Sequence, residues 1–300
     1  MNHLPLEIVS QVRNRDDGVM APLFTRGVNL LNSSARAPAV HPPLVLLHPL
    51  GSTGEMSWRP LAEAWRAVGH RVTTPDLPGH GASRGTRFTW ENARATINVA
   101  AAQSTPEKPI LIGHSLGAAA AIYTAQRQPS DFAGLILSGA GACWNDRYVK
   151  FGLPVAAAIG ALTAAIGRRE LLAHAAGVRG RQLLPSARNA DINPRELWRA
   201  AGQLTRFDIR TMPAPRIPCA VIVLTNDRRM PPGLQRALAK YLGCAHVDVT
   251  ADHDAPLRQT GRLREGIETA LGMLGGDGES PPPLQIPMAL VEDVRRRESL

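Results

Sequence analysis

The stretch that decides the fold is "KPILIGHSLGAAAAIYTAQRQP", Lys108 to Pro129. Its first half, "PILI", is bulky, short and β-prone, while "AAAAIYTAQRQ" is a strong helix former that stops before Pro129. Ser115 sits at the changeover, between Gly113 and Gly117, and therefore lies in a strand-to-helix turn. Outward from it, similar apolar runs recur: "PLVLLH" (43–48), "HRVTTPD" (70–76), "PILIG" (109–113), "AGLILSG" (133–139), "CAVIVL" (219–224) and "AHVDV" (245–249). Helical patterns fill the gaps at 56–68, 89–104, 116–128, 233–242 and 259–274, with Gly69 and Gly243 as stop signals. Near-continuous apolar strands alternating with helices predict a mostly parallel sheet covered by helices on both faces, an α/β architecture. In such sheets ligands bind beyond the carboxyl ends of the strands.

The alternation breaks between Ala140 and Pro218. Helical pieces at 154–167, at 168–176 and in "NPRELWRAAGQL" follow one another with no strand between them. In the last piece Asn193 is placed to cap, Pro194 suits the first helical position and Glu196 is placed to close a capping box. The expected organisation is an N-terminal segment (1–39), a core built from 40–140 and 217–274, a helical cap or lid inserted at 141–216, and a Pro-rich linker with a loosely held tail (275–300). The linker is "GGDGESPPP", and no internal repeat interrupts the plan.

Three hundred residues, 44% of them apolar, suffice for one large domain with an insertion. The longest apolar candidate, "LPVAAAIGALTAAIG" from Leu153 to Gly167, falls short of the roughly 18 apolar residues of a membrane span. The N-terminal "MNHLPLEIVSQVRNRDD" lacks the apolar core of a signal peptide, so the cytoplasm is the expected location. Cys143, Cys219 and Cys244 are odd in number without CxxC spacing, which points to free thiols rather than to disulfides or zinc. The net charge of +9 raises nucleic acid or anionic lipid as partners. Yet the 34 basic residues are thinly spread, all of them Arg except Lys108, Lys150 and Lys240, a skew that GC-rich coding alone produces. The one dense run is Arg295 to Arg297, aromatics are few, and nucleic-acid binding is not expected.

The strand ends carry the chemistry. They read "HPLGSTGEMSW" after the first, "DLPGHGAS" after the second, "GHSLG" after the third, "TNDRRMPP" after the fifth and "TADHDAP" after the sixth. Three of them present a hydroxyl, an acid and an imidazole in the order Ser115, Asp227, His253. With these motifs the chain, from about Val40 to Leu274, resembles the α/β-hydrolase superfamily, most of all its lidded serine esterase and lipase branch with "DxPGHG" after the second strand. The resemblance implies Ser115 as nucleophile on a strained elbow, His253 as its base, Asp227 as the acid that orients the imidazole, and the N–H groups of Leu50 and Leu116 as an oxyanion hole.

This chain departs from the family pattern in "HPLG", where Pro49 carries no N–H, in "TND" where relatives often carry glycine, and in an N-terminal forty without an alternating hairpin. Plainer readings stand beside the catalytic ones. Asp227 could cap the helix that follows it, and Asp76, read as stabilising its own loop, is the rival acid. His253 lies between Asp252 and Asp254, but no second histidine stands at ligand spacing, so no metal is expected. His48, His80 and His114 are read as packing and hydrogen-bonding residues, and Trp144, Phe151, Leu153 and Trp198 as lid core.

A serine nucleophile argues against the dehalogenases and epoxide hydrolases of the superfamily, which carry aspartate there. Ester, thioester, lactone or carbon–carbon bond hydrolysis is left, with acyl transfer, perhydrolysis and lyase chemistry open on the same three residues. No dinucleotide-binding glycine pattern appears, and no cofactor is expected. The alanine-rich insertion leans toward a small to medium apolar ester. Two readings of another class are kept: a non-catalytic ligand-binding protein on the same fold, and a basic nucleic-acid- or membrane-surface-binding protein, whose polyanion binding would belong to the tail alone if it vanished on deleting Leu284 to Leu300. Monomer and dimer are equally compatible with the sequence.

Overall fold

The computed structural model describes residues 41–103, 106–144 and 192–275. The N-terminal segment 1–39, the helices expected at 154–167 and 168–176, and the tail beyond Gly275 lie outside them. Among the described residues six strands form one parallel sheet: β1 (Leu44–Leu47), β2 (Val72–Thr73), β3 (Ile110–His114), β4 (Gly134–Ser138), β5 (Cys219–Leu224) and β6 (Ala245–Val249). Their spatial order is β2-β1-β3-β4-β5-β6, with Leu47 opposite Gly113 and His114 opposite Ser138. The helices are α1 (Gly54–Ala67), α2 (Trp90–Ala102), α3 (Leu116–Arg127), α4 (Pro194–Leu204), α5 (Pro232–Leu242), α6 (Ala255–Arg258) and α7 (Thr260–Leu274).

The central strands β1, β3, β4 and β5 are almost wholly apolar because both faces are covered, and their two-residue period sorts the side chains into two cores. Val45, Leu47, Leu111, Leu135, Leu137, Val221 and Val223 point to the layer holding α2, α3 and α5. Leu44, Leu46, Ile110, Ile112, Ile136, Ala220, Ile222 and Leu224 point to the layer holding α1 and α7. In α1 the stripe Trp58, Leu61, Ala62, Trp65 recurs at helical spacing and is buried, each large side chain contributing about 2 kcal/mol or more by leaving water. Thr53 caps this helix by accepting from Met56 N–H, and Thr89 caps α2 by accepting from Asn92 N–H.

Three local expectations change. The second strand is two residues long rather than spanning 70–76, because Asp76 turns the chain out of the sheet: its carboxylate accepts the N–H of Gly54 and of Ala82, each at 2.8 Å. A short unexpected helix, α6, precedes the expected last one, and the two are kept apart because the backbone at Gln259 leaves helical geometry (φ −130°, ψ 39°) while its side chain accepts Asp252 N–H at 2.8 Å. The capping box of α4 does not form. Asn193 does cap, its Oδ1 accepting Arg195 N–H at 3.1 Å, but its own N–H donates to Gly79 O at 2.9 Å. Glu196 instead accepts Phe88 N–H at 2.7 Å and pairs with Arg199. A helix-terminal pattern has been diverted to dock α4 onto the "PGHG" loop. Gly79 serves that contact: its φ is +85°, and a Cβ there would stand 2.5 Å from the Cβ of Glu196.

Candidate active site

The carboxyl ends of β3, β5 and β6 deliver Ser115, Asp227 and His253 to one place. Ser115 has φ 52° and ψ −113°, and among the described residues it alone is a non-glycine with positive φ. Such a backbone costs about 1–3 kcal/mol and persists only where its surroundings hold it. Here Ser115 N–H donates to Ser138 O at 2.9 Å, and Ser115 O accepts Ala119 N–H at 3.1 Å, so strand and helix both grip the turn.

The flanking glycines are required by close approach. A Cβ at Gly113 would stand 2.6 Å from the Cα and N of Ala118, and one at Gly117 would stand 2.1 Å from the carbonyl oxygen of Leu47. Backbone on both sides leaves nowhere to shift. Gly117→Ala is expected to lower stability by about 3 kcal/mol, read as a urea midpoint, whereas Gly202→Ala, a helical position with nothing within 4 Å, is neutral or stabilising. Equal midpoints for the two variants would contradict the close-packing account.

His253 Nδ1 lies 2.7 Å from Asp227 Oδ2, and His253 Nε2 lies 3.1 Å from Ser115 Oγ. A carboxylate only accepts, so Nδ1 carries the proton and Nε2 is left with a lone pair facing the serine hydroxyl. Asp227 has a fully buried side chain. Burial by itself raises its pKa, but the adjacent His253, the hydrogen bond from that ring and the Met230 N–H outweigh it, and the carboxyl titrates below its ordinary value. Its second oxygen accepts the N–H groups of Arg229 (2.8 Å) and Met230 (2.9 Å). The plainer role of Asp227 as a cap is thus partly fulfilled: it organises the turn before α5, while the cap position of α5 itself is Pro231.

The loop bearing His253 is tied on several sides. Arg229 forms a two-pronged ion pair with Asp254, at 2.9 and 2.7 Å, and Asp254 N–H donates to Asp252 Oδ1 at 2.8 Å. The two aspartates around His253 therefore serve loop geometry, and among the described residues no cluster of three metal-ligating side chains exists. Gln235, eight residues past Asp227, was not singled out by the sequence. Its fully buried amide accepts Leu224 N–H (2.9 Å) and donates to Met230 O (2.6 Å) and Asp227 Oδ2 (3.3 Å). Asp76 stands in its own loop as expected, engaged by Gly54 and Ala82.

Leu50 and Leu116 stand in different settings. Leu116 opens α3, and Leu50 follows β1 in the turn closed by Gly51 (φ 79°). Among the described residues neither N–H has an acceptor. Two neutral histidines hold the Leu50 turn. His48 donates from Nδ1 to Pro49 O (2.8 Å) and accepts Leu77 N–H on Nε2 (2.9 Å); His80 donates from Nδ1 to Pro78 O (3.0 Å) and accepts Gly51 N–H on Nε2 (3.3 Å). Burial, against the hydrogen bond to Pro49, lowers the His48 pKa to about 4; burial and then the neighbouring His48 lower that of His80 to about 3. Pro49 thus matters as an acceptor, not as the missing donor. A separate open groove of about 910 Å³ runs along α4, lined by Asn193, Arg195, Trp198 and Arg206 among others, and none of Ser115, Asp227 or His253 lines it. Trp198 is half exposed rather than interior to a lid, while Trp144 is buried against Phe207.

Known proteins share this arrangement of chain. The sequence profile of the Alpha/beta hydrolase family matches residues 44–264. A pimeloyl-acyl-carrier-protein methyl ester esterase of Aromatoleum aromaticum is 37% identical over 109 residues, 35% of this chain and 40% of that one. The magnesium-chelatase 30 kDa subunit of Rhodobacter capsulatus is 38% identical over 95 residues, 31% of this chain and 33% of that one. The matched stretch thus spans less than half of either curated relative. Solved structures agree over a longer span: an enol-lactonase from Burkholderia xenovorans superposes with a TM-score of 0.62 at 21% identity, over 77% of this chain and 91% of that one. An esterase from Exiguobacterium antarcticum does so with a TM-score of 0.62 at 16% identity, over 77% and 92%. At such identities these superpositions speak to fold. The six parallel strands, the helices on both faces and a profile match across most of the chain lead to one conclusion: the protein belongs to the alpha/beta hydrolase family.

Proposed function

We propose that the protein is a serine hydrolase of carboxylic esters (EC 3.1.1), acting on a small to medium, apolar ester, thioester or lactone through an acyl-enzyme. The observation that carries this reading is the unbroken hydrogen-bonded chain Ser115–His253–Asp227, at 3.1 and 2.7 Å, ending on a serine held at φ 52°. Ser115 Oγ attacks the acyl carbon as its proton passes to His253 Nε2. The electron pair of the carbonyl moves onto oxygen, where the N–H groups of Leu50 and Leu116 receive it. Collapse of the tetrahedral species expels the alkoxide, which takes the proton from Nε2, and water then repeats the sequence in reverse roles to free the acid. Asp227, ionised at neutral pH, keeps the proton of His253 on Nδ1 and stabilises the imidazolium without being protonated itself.

In this reading the insertion 141–216 is a cap whose C-terminal part, α4, is docked on the "PGHG" loop through Asn193 and Glu196. The names of the esterase and lactonase relatives support acyl chemistry. The partner proposed is a small-molecule ester, with no cofactor, metal or nucleic acid required. No described helix is long and apolar enough to cross a membrane. A second reading, ligand binding without turnover, draws on the relative named as a chelatase subunit rather than as a hydrolase. Turnover decides between them. A p-nitrophenyl ester series from acetate to palmitate is expected to show hydrolysis that peaks at one chain length, and a series flat at background throughout would leave the ligand-binding reading standing.

A further inference from the structure

The chain brings a third histidine to the site. His114, at the end of β3 and bonded directly to Ser115, is fully buried. Its Nε2 lies 2.9 Å from the main-chain carbonyl oxygen of His253, 139 residues away, and its Nδ1 lies 2.9 Å from Ser138 Oγ on the neighbouring strand. A carbonyl oxygen can only accept, so Nε2 must carry the proton; Nδ1 then has a lone pair and must accept from the Ser138 hydroxyl. One tautomer of the neutral ring satisfies both contacts. The sheet makes this possible, because His114 and Ser138 are direct partners in the β3–β4 register. Gly139 completes the fit: a Cβ there would stand 2.5 Å from His114 Cε1.

We propose that His114 is a positioning residue, which anchors the main chain at His253 through its carbonyl and so holds the His253 ring between Asp227 and Ser115. The proposal rests on the reading of Ser115, His253 and Asp227 as the catalytic group. The loop bearing His253 is otherwise tied by the partly exposed Arg229–Asp254 pair, by Gln259 on Asp252 N–H and, at its start, by Asn226 N–H on Ala251 O. His114 supplies the tie at the carbonyl of His253 itself, and it does so from the residue adjoining Ser115. Turn and base loop are thereby referenced to a single side chain. Burial, then the nearby His253, lowers the His114 pKa to about 3, which keeps the ring neutral at working pH.

The test compares wild type with His114→Gln, His114→Leu and Ser138→Ala. The glutamine amide keeps an N–H near the position of Nε2; leucine keeps bulk without a donor. The first readout needs no turnover: the low-field proton resonance of the His253 Nδ1–H shared with Asp227. It is expected in wild type and in His114→Gln, lost or broadened in His114→Leu, and weakened in Ser138→Ala. On an ester that is turned over, kcat of His114→Leu is expected to fall by about a hundredfold with KM within about twofold, the cost of a small misplacement, while His114→Gln stays within about fivefold of wild type. A folded His114→Leu protein that retains the resonance overturns the proposal, as does a glutamine variant as impaired as the leucine one, or a wild type without the resonance. Should His114→Leu not fold, Ser138→Ala decides: an unchanged resonance overturns the proposal and a weakened one supports it. Failure of the hydrolase reading shows separately, as absence of turnover in a wild type whose resonance responds as described.

Discussion

Ser115→Ala is expected to lower kcat by about a thousandfold or more on any ester that the wild type hydrolyses, with little change in KM or in stability. The substitution removes one oxygen and nothing else. Alanine tolerates φ 52° no worse than serine, and the turn is held by main-chain bonds to Ser138 and Ala119 that do not involve the hydroxyl. In the proposed mechanism what disappears is the atom that becomes bonded to the acyl carbon, so catalysis would fall to what positioning and the Leu50 and Leu116 N–H groups achieve with water. Asp227→Asn should approach the same loss by another route. An amide facing Nδ1 donates as readily as it accepts, which moves the ring proton to Nε2 and removes the lone pair that Ser115 needs; a loss on the order of ten-thousandfold in kcat follows. A Ser115→Ala enzyme that keeps a tenth of wild-type kcat would sink the acyl-enzyme mechanism.

Acidification is expected to unfold the protein well above the pH at which its carboxylates are protonated. His48, His80 and His114 are fully buried, and their pKa values are lowered to about 4, about 3 and about 3 from an ordinary 6.5. A histidine whose folded pKa is depressed is neutral in the native state over a range where the unfolded chain is protonated. The unfolded state then binds more protons, and stability rises with pH. This contribution is fully present above pH 6.5 and is lost as pH falls from there toward 4. Each such proton is worth about 1.4 kcal/mol per pH unit, so three set an upper slope of about 4 kcal/mol per unit, against a total stability of roughly 5–15 kcal/mol. Asp227, whose pKa is lowered, extends the loss below pH 3.8; Glu268, raised by burial, opposes it with one proton. Urea midpoints measured from pH 7.5 to 4.5 should therefore fall steeply below pH 6.5, and His80→Gln, which keeps an acceptor for Gly51 N–H without a basic ring, should flatten that slope by about a third. Midpoints constant down to pH 5 would show that the rings find solvent or a second acceptor when protonated.

Much of this protein is determined by residues close together in sequence. The fifth and sixth strands, Cys219–Leu224 and Ala245–Val249, are bounded as their apolar and β-branched runs predict, and α5 stops at Gly243 with φ +64°. The turn at Ser115 is equally local, since a short strand, two glycines and an alanine-rich helix leave the chain one way to pass between them. Chain order likewise puts Ser115, Asp227 and His253 after parallel strands, and a parallel sheet sends all those ends to one edge.

The tertiary structure alone decides which polar groups become partners across long separations. Glu196 has the spacing of a capping box, yet Phe88 N–H, 108 residues earlier, takes its carboxylate because docking α4 buries that donor and leaves water no access to it. Gln235 looks like any helix residue until its amide proves to be the buried link between Leu224, Met230 and Asp227. His114 occupies a variable position inside a turn motif, and only the register of β3 against β4, with β6 delivering the His253 loop over it, gives its two nitrogens their partners. The physical reason is common to the three. Apolar periodicity records which face of an element is buried, but a buried donor or acceptor must be satisfied by whatever group the packing brings within about 3 Å, and that identity is set by the meeting of elements rather than by either one.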